Sequence, residues 1–247
     1  MQLKDFIALL SETAVKNEYR FENLRERIPL GVYTAGEIAT AHREEKPERY
    51  HFLIATGDDR RAFVFQLLLS LACFYDENEA SFLILSPHSE YAPLLELSSA
   101  DFSVPYIRTK EDFDLALSTI SSLSVMRKLK SGYPRLIVVC DGLEEVQGLK
   151  FDDVTDPYLQ VLDAVGAIRA EVIAAVDLTA SKFCSFPGAV AGIGNCVVST
   201  KADGKADVTQ VGADSSLGVP RQMEYPFLHD FALAVRELNE TIKGEDR

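Results

Sequence analysis

The sequence predicts an α/β fold in which a mostly parallel central sheet carries helices on both faces. From residue 50 onward, short runs rich in Ile, Val and Phe alternate with longer helical stretches. The runs are apolar at nearly every position, as in strands that are buried on both faces of a parallel sheet. Strand–helix alternation of this kind is typical of doubly wound α/β domains.

The elements before residue 50 are a helix, a short extended segment and a charged connector. Leu3, Phe6, Ile7, Leu10 and Ala14 recur at helical spacing and predict an amphipathic helix. Residues 29–33 are predicted to be extended, and residues 42–49 form a solvated charged loop. We divide a single domain into an N-terminal helical segment (1–28), an α/β core (29–223) and a C-terminal helix (224–247).

Six strands and their connecting helices follow. The predicted strands are residues 50–55, 81–85, 104–107, 135–140, 171–176 and 195–199, and the predicted helices are residues 61–74, 91–97, 110–129, 158–167 and 181–191. An Asp-Gly turn at Asp203 predicts a hairpin between residues 197–200 and 206–211. An apolar stripe from Leu228 to Ile242 predicts the final helix.

Composition and charge exclude several classes of protein. The 247 residues are 47% hydrophobic, which is enough apolar surface to offset the entropy cost of folding. With 25 basic and 38 acidic residues the net charge is −13, which disfavours nucleic acid as a partner. No apolar run reaches the roughly 20 residues that cross a bilayer. The four cysteines lack the spacing of a metal site, so we expect free thiols, no metal and a cytoplasmic protein.

The first candidate site follows the strand at residues 50–55, since ligands of open α/β sheets bind at the carboxyl ends of strands. A phosphate-binding loop there needs glycines, a lysine for the phosphates and a Ser or Thr for magnesium. Residues 56–64 contain one glycine, Gly57, and in neither possible register do they place a lysine or a Ser/Thr at the required positions. Asp58 and Asp59 would repel a triphosphate. The loop therefore has the position of a phosphate-binding loop without its chemistry.

The second candidate is Asp141, at the end of the strand at residues 135–140. An aspartate at this place holds magnesium through a water in P-loop ATPases. Gly142 follows it, where an active enzyme has an acidic residue, and Glu144 and Glu145 come later. The alternative interpretation is a strand-end residue that caps the following turn.

An excess of acidic residues follows Asp141. Between Asp141 and Asp163 seven acidic residues accompany one base, Lys150. This stretch is either a solvated loop or a docking face for a basic segment or a neighbouring module. The candidate docking residues are Glu144, Glu145, Asp152, Asp153 and Asp156.

These segments together resemble the FtsK/SpoIIIE-type ATPases of the RecA-like P-loop class. The resemblance runs from Ile28-Pro29-Leu30-Gly31 through residues 51–55 and 133–141 to residues 171–177. The chain is most similar to the C-terminal ATPase-like domains of the EssC/EccC proteins of type VII secretion. The resemblance implies a RecA-like P-loop fold whose nucleotide site is reduced to Thr56, Gly57, Arg60, Arg61 and Asp141.

The same resemblance implies a function for the degenerate module. It would be a pseudo-ATPase without catalytic residues or a cofactor, in the cytoplasmic part of a longer membrane-anchored protein, and its partners would be secretion substrates or adjacent ATPase modules. Two alternatives stay open. A divergent ATPase would use Arg60 or Arg61 in place of the lysine and Glu144 or Glu145 as the acid, with Mg-ATP bound. A DNA-translocase motor is opposed by the net charge.

Overall fold

A computed structural model describes residues 1–16, 27–42, 51–73, 75, 78–97, 100–129, 133–150, 156–165, 170–176, 196–211 and 217–245. The strands are β1 (Arg27–Tyr33), β2 (Ile38–His42), β3 (His51–Thr56), β4 (Ala80–Leu85), β5 (Asp101–Ser103), β6 (Arg135–Asp141), β7 (Ala170–Ala175), β8 (Cys196–Lys201), β9 (Lys205–Gln210) and β10 (Arg221–Glu224). The helices are α1 (Leu3–Lys16), α2 (Arg60–Ala72), α3 (Lys110–Leu129), α4 (Pro157–Val165) and α5 (Phe231–Glu245). Short 3₁₀ helices cover Ser89–Glu96, Leu143–Glu145 and Ala202–Gly204.

The described strands form one sheet in the order β2-β1-β10-β9-β8-β3-β7-β6-β4-β5. From β8 to β5 all neighbours are parallel, whereas the pairs from β2 to β8 are antiparallel. β3 is the second strand of the parallel half. The chain runs from β3 to β4 and β5 at the far edge and returns through β6 to β7, which pairs with β3. The predicted mostly parallel α/β sheet is confirmed.

Two hydrophobic cores cover the two faces of the parallel strands. Successive strand residues alternate between them: Leu53 belongs to the core beneath α2 and α5, and Ile54 to the core beneath α3 and α4. The same alternation holds in β6, where Ile137 faces the first core and Val138 the second. This double burial explains why these strands are apolar throughout.

Two predicted elements differ from the structure. Instead of a strand at residues 104–107, β5 ends at Ser103, and the next residues reach the sheet only through an isolated bridge between Tyr106 and Ser86. The predicted helix at residues 91–97 is the 3₁₀ helix Ser89–Glu96, whose Pro93 lacks the N–H group that a continuous α-helix needs. The residue at the N-cap of that helix is His88.

The C-terminal half contains a confirmed hairpin and an unpredicted strand. β8 and β9 pair from Cys196 to Lys201 around the turn Ala202–Gly204. β10 was not predicted, and the last helix begins at Phe231. The predicted helix at residues 181–191 lies outside the described residues. Among the helices that the structure describes, none is long and apolar enough to cross a membrane.

Candidate functional site

The connection from β3 to α2 is tight because β8 passes directly beside it. β3 ends at Thr56 and α2 begins at Arg60, so only Gly57, Asp58 and Asp59 lie between them. The Thr200 hydroxyl donates to the Thr56 carbonyl oxygen over 2.7 Å. Gly57 has a φ of +98°, and a Cβ there would lie 2.3 Å from the Thr200 carbonyl oxygen. Glycine at this position therefore permits the close packing of the loop against β8.

Arg61, in the first turn of α2, makes the central ion pair of the strand-end site. Its Nε donates to Asp141 Oδ2 over 2.7 Å, and its Nη1 donates to Glu90 Oε1 over 3.0 Å. Burial alone would lower the pKa of Arg61, but the adjacent Asp141 carboxylate outweighs it and raises the pKa. The guanidinium is thus held between two carboxylates of the protein itself.

Asp141, at the end of β6, is fully buried and is held from two sides. The Tyr91 hydroxyl donates to the same Oδ2 over 3.2 Å. Burial raises the pKa of Tyr91 well above its ordinary value, and the nearby Asp141 carboxylate raises it further. Oδ1 has no hydrogen-bond partner among the described residues. The side chain of Asp141 therefore holds α2 and the 3₁₀ helix of Tyr91, so the capping role considered from the sequence is wrong.

Arg60 belongs to a second buried network, which includes Glu144 and Tyr158. Its Nη1 donates to the Gly57 carbonyl oxygen over 3.3 Å, and its Nη2 lies 3.7 Å from Glu144 Oε1. The Tyr158 hydroxyl donates to Glu144 Oε2 over 2.6 Å. Burial raises the pKa of Tyr158 well above its ordinary value, with the Glu144 carboxylate as the next cause. The two arginines that could have replaced the missing lysine both face carboxylates.

The predicted acidic docking face is only partly an exposed surface. Glu144 is buried, and Asp156 is also buried, with Oδ1 accepting from the backbone N–H groups of Tyr158 and Leu159 at the start of α4. These two carboxylates bind within the chain because one closes an ion pair and the other caps a helix, so they are not exposed docking groups. Glu145 is half exposed, and its Oε1 lies 3.4 Å from His88 Nε2. Asp152 and Asp153 lie outside the described residues.

Sequence reasoning missed Tyr91, Glu90 and Tyr158 as parts of the site. Tyr91 is 50 positions from Asp141 in the sequence, so no local motif could reveal the contact. The signal that could have suggested such partners was chemical: a buried strand-end aspartate beside an arginine-bearing helix needs further polar neighbours. No group of three or more metal-ligating side chains with suitable geometry occurs in the part of the chain that the structure describes.

The fold is similar to that of solved ATPase domains, and the likeness covers most of this chain. More particularly, the chain is similar to EssC (ATPases 2 and 3) from Geobacillus thermodenitrificans, with 13% identity and a TM-score of 0.58 over 89% of this chain and 49% of that one. It is also similar to the cytoplasmic domain of the type VII secretion ATPase EccC from Thermomonospora curvata, with 10% identity and a TM-score of 0.58 over 87% and 31% of the two chains.

A third similar structure is EccC (ATPases 2 and 3) from Thermomonospora curvata in complex with a signal sequence peptide, with 12% identity, a TM-score of 0.54 and coverage of 83% and 41%. The chain thus spans half or less of the length of these structures. At this identity the likeness shows the fold, and at that level the predicted resemblance is confirmed. No family model matches the chain, and no curated protein matches it by sequence.

Proposed function

We propose that this chain is a pseudo-ATPase module of a secretion motor, which binds a protein segment without nucleotide. The observation that carries the proposal is the Arg61–Asp141 ion pair. In a divergent nucleotide site the arginine would bind phosphate and the aspartate would hold magnesium, but here the two side chains bind each other. Arg60 is directed in the same way to Gly57 and Glu144. We place the module in the cytoplasmic part of a longer membrane-anchored protein; one similar structure is the cytoplasmic domain of EccC.

Binding of Mg-ATP would require these pairs to open. Removing one partner from a buried ion pair costs roughly 3–5 kcal/mol because the other charge is left unpaired. The phosphates would also meet Asp58 and Asp59 instead of a ring of backbone N–H groups, and like charges repel. Admission of the nucleotide would therefore break a buried ion pair and add repulsion from two carboxylates.

Calorimetric titration with Mg-ATP tests the nucleotide-independent part of the proposal. We expect no saturable heat, either in the native chain or in the variant Arg61→Gln. The matched control is Arg236→Gln, which changes an exposed arginine of α5. Micromolar binding that is lost in Arg61→Gln but kept in Arg236→Gln would overturn the proposal.

The protein-binding part is tested with a substrate segment. The similar EccC structure contains a signal sequence peptide, and we propose that this chain binds such a segment of a secretion substrate or an adjacent ATPase module. Fluorescence polarisation with a labelled signal sequence peptide should show saturable binding in nucleotide-free buffer, and a scrambled peptide should not compete. If neither the peptide nor an adjacent module binds, this part of the proposal is refuted.

A second candidate function is a divergent ATPase, which the free oxygen of Asp141 favours. Oδ1 is buried without a hydrogen-bond partner and could face a metal-bound water. A phosphate-release assay separates the two candidates, since turnover that is abolished by Asp141→Asn would support the ATPase.

A further inference from the structure

Three aspartates come from two segments that pack beside each other at the end of β3. Asp58 and Asp59 lie in the loop between β3 and α2, and Asp203 lies in the turn between β8 and β9. The segments are joined by the hydrogen bond from Thr200 to Thr56 and by the close approach of Thr200 to Gly57. Burial raises the pKa of Asp59, and the charges of Asp58 and Asp203 raise it further.

The neighbouring cations do not neutralise this cluster. Arg60 and Arg61 are directed to Glu144 and Asp141 instead. Lys201 pairs with Asp207. Among the residues that the structure describes, none forms an ion pair with Asp58, Asp59 or Asp203. Asp59 does not use its side chain to cap α2 either, although it occupies the N-cap position.

Tyr225, beside this cluster, provides an independent observation, because its buried hydroxyl lacks a hydrogen-bond partner among the described residues. Its N–H donates to the Gly204 carbonyl oxygen over 2.8 Å, and its ring meets Phe63 of α2 edge to face at 5.1 Å between centroids. The residue therefore contacts both the turn that carries Asp203 and the helix that follows Asp59. It is 1% exposed, and its hydroxyl has no hydrogen-bond partner among the described residues. Burial raises the pKa of Tyr225, and the charge of Asp59 raises it further.

We infer that Asp58, Asp59 and Asp203 form a docking site for an arginine or lysine side chain of a protein partner. Three like charges without a counter-charge repel each other, and an incoming cation removes that repulsion while it gains their attraction. An arginine suits the site best because its five donors can reach carboxylates from two segments at once. A side chain is favoured over a metal ion because the described carboxylates lack the grouping that a metal needs.

This site is distinct from the acidic stretch after β6, whose described carboxylates include the internally bound Glu144 and Asp156. The inference rests on the proposed function, because it names the chemistry of the segment that the module binds. It also gives a positive role to the loop that has replaced a phosphate-binding loop. The cation would bind at the same aspartates, Asp58 and Asp59, that would repel the phosphates of a nucleotide.

The test uses a capped tri-arginine peptide as the probe and nuclear magnetic resonance of the full chain as the readout. We expect saturable shifts at Gly57, Gly204 and Tyr225, and no shifts with the neutral tri-citrulline peptide. The variant with Asp59→Asn and Asp203→Asn should bind about tenfold more weakly, since two ion pairs are lost. Asparagine accepts the left-handed backbone of Asp203, at a φ of 61°, so the variant should fold.

The control carries the same change in net charge elsewhere, as Glu111→Gln with Glu240→Gln, both on exposed positions. Equal weakening in the control and in the aspartate variant would overturn the inference. Equal binding of tri-citrulline, an absence of any shift, or micromolar Mg²⁺ binding at the same residues would overturn it too. A chain that binds neither ATP nor tri-arginine contradicts this inference alone, whereas ATP binding contradicts the proposed function.

Discussion

The Arg61–Asp141 pair should be a major source of stability, and the substitution Arg61→Met tests this. Methionine keeps the apolar part of the side chain but leaves the fully buried Asp141 carboxylate with only the Tyr91 hydroxyl as a donor. Loss of one partner of a buried pair costs roughly 3–5 kcal/mol. Because about a quarter of the Arg61 side chain is exposed (25%), we expect the lower end, about 3 kcal/mol.

Urea denaturation followed by circular dichroism measures this loss. In a domain of this size about 3 kcal/mol corresponds to a fall in Tm of roughly 6–12 °C. The double variant with Asp141→Asn should be more stable than Arg61→Met alone, because the unpaired buried charge is gone. Arg236→Met, on the exposed face of α5, should change stability by less than about 0.5 kcal/mol. The reasoning fails if Arg61→Met matches that control, or if Asp141→Asn gives no recovery.

Three further predictions concern other parts of the molecule. Gly57→Ala should destabilise the chain more than Gly36→Ala in urea denaturation. Both glycines have a positive φ, but only at Gly57 would a Cβ meet a neighbouring backbone, that of Thr200. Equal losses of stability would refute the argument that the contact with Thr200 requires glycine. Burial raises the pKa of Asp59 above its ordinary value of 3.8, and the charges of two other aspartates raise it further. The protonated side chain is therefore favoured in the folded state. Its contribution to stability is present at low pH and is lost as the pH rises from 3.8 through the pKa of the folded state. Asp59→Asn should flatten the pH dependence of stability in that interval, and an unchanged slope would count against the cluster. Alkylation mapped by mass spectrometry should modify the half-buried Cys73 before the buried Cys140. Burial raises the pKa of the Cys140 thiol, so little of the reactive thiolate forms there. Faster reaction at Cys140 would contradict its burial.

The fold could be predicted from the sequence where burial leaves a regular pattern. β6 is apolar on both sides because each face of the sheet is covered, and this pattern identified it to within one residue. β10 has only one buried residue, Met223, and therefore carries no such pattern. β5 was misplaced because Val104 and Ile107 read as an apolar run, although the strand itself, Asp101–Ser103, is largely exposed.

The site could be located from the sequence but not assembled from it. The ends of β3 and β6 were predicted as the place of interest, and Arg61 and Asp141 lie there in direct contact. The tyrosines that complete the networks come from distant segments, and Tyr158 in particular lies in α4, where it reads as an ordinary core residue. The direction of each charged side chain depends on the packing of these elements, which no spacing rule encodes.

The tight contact between Thr200 and Gly57 limits what evolution or engineering can do with this domain. Three residues lie between β3 and α2, and Gly57 among them meets the backbone of Thr200 in β8. An insertion in this loop would have to displace Thr200, which pairs with Ala206 in the β8–β9 hairpin. A redesign of the loop therefore has to change two segments together, although they lie far apart in the sequence.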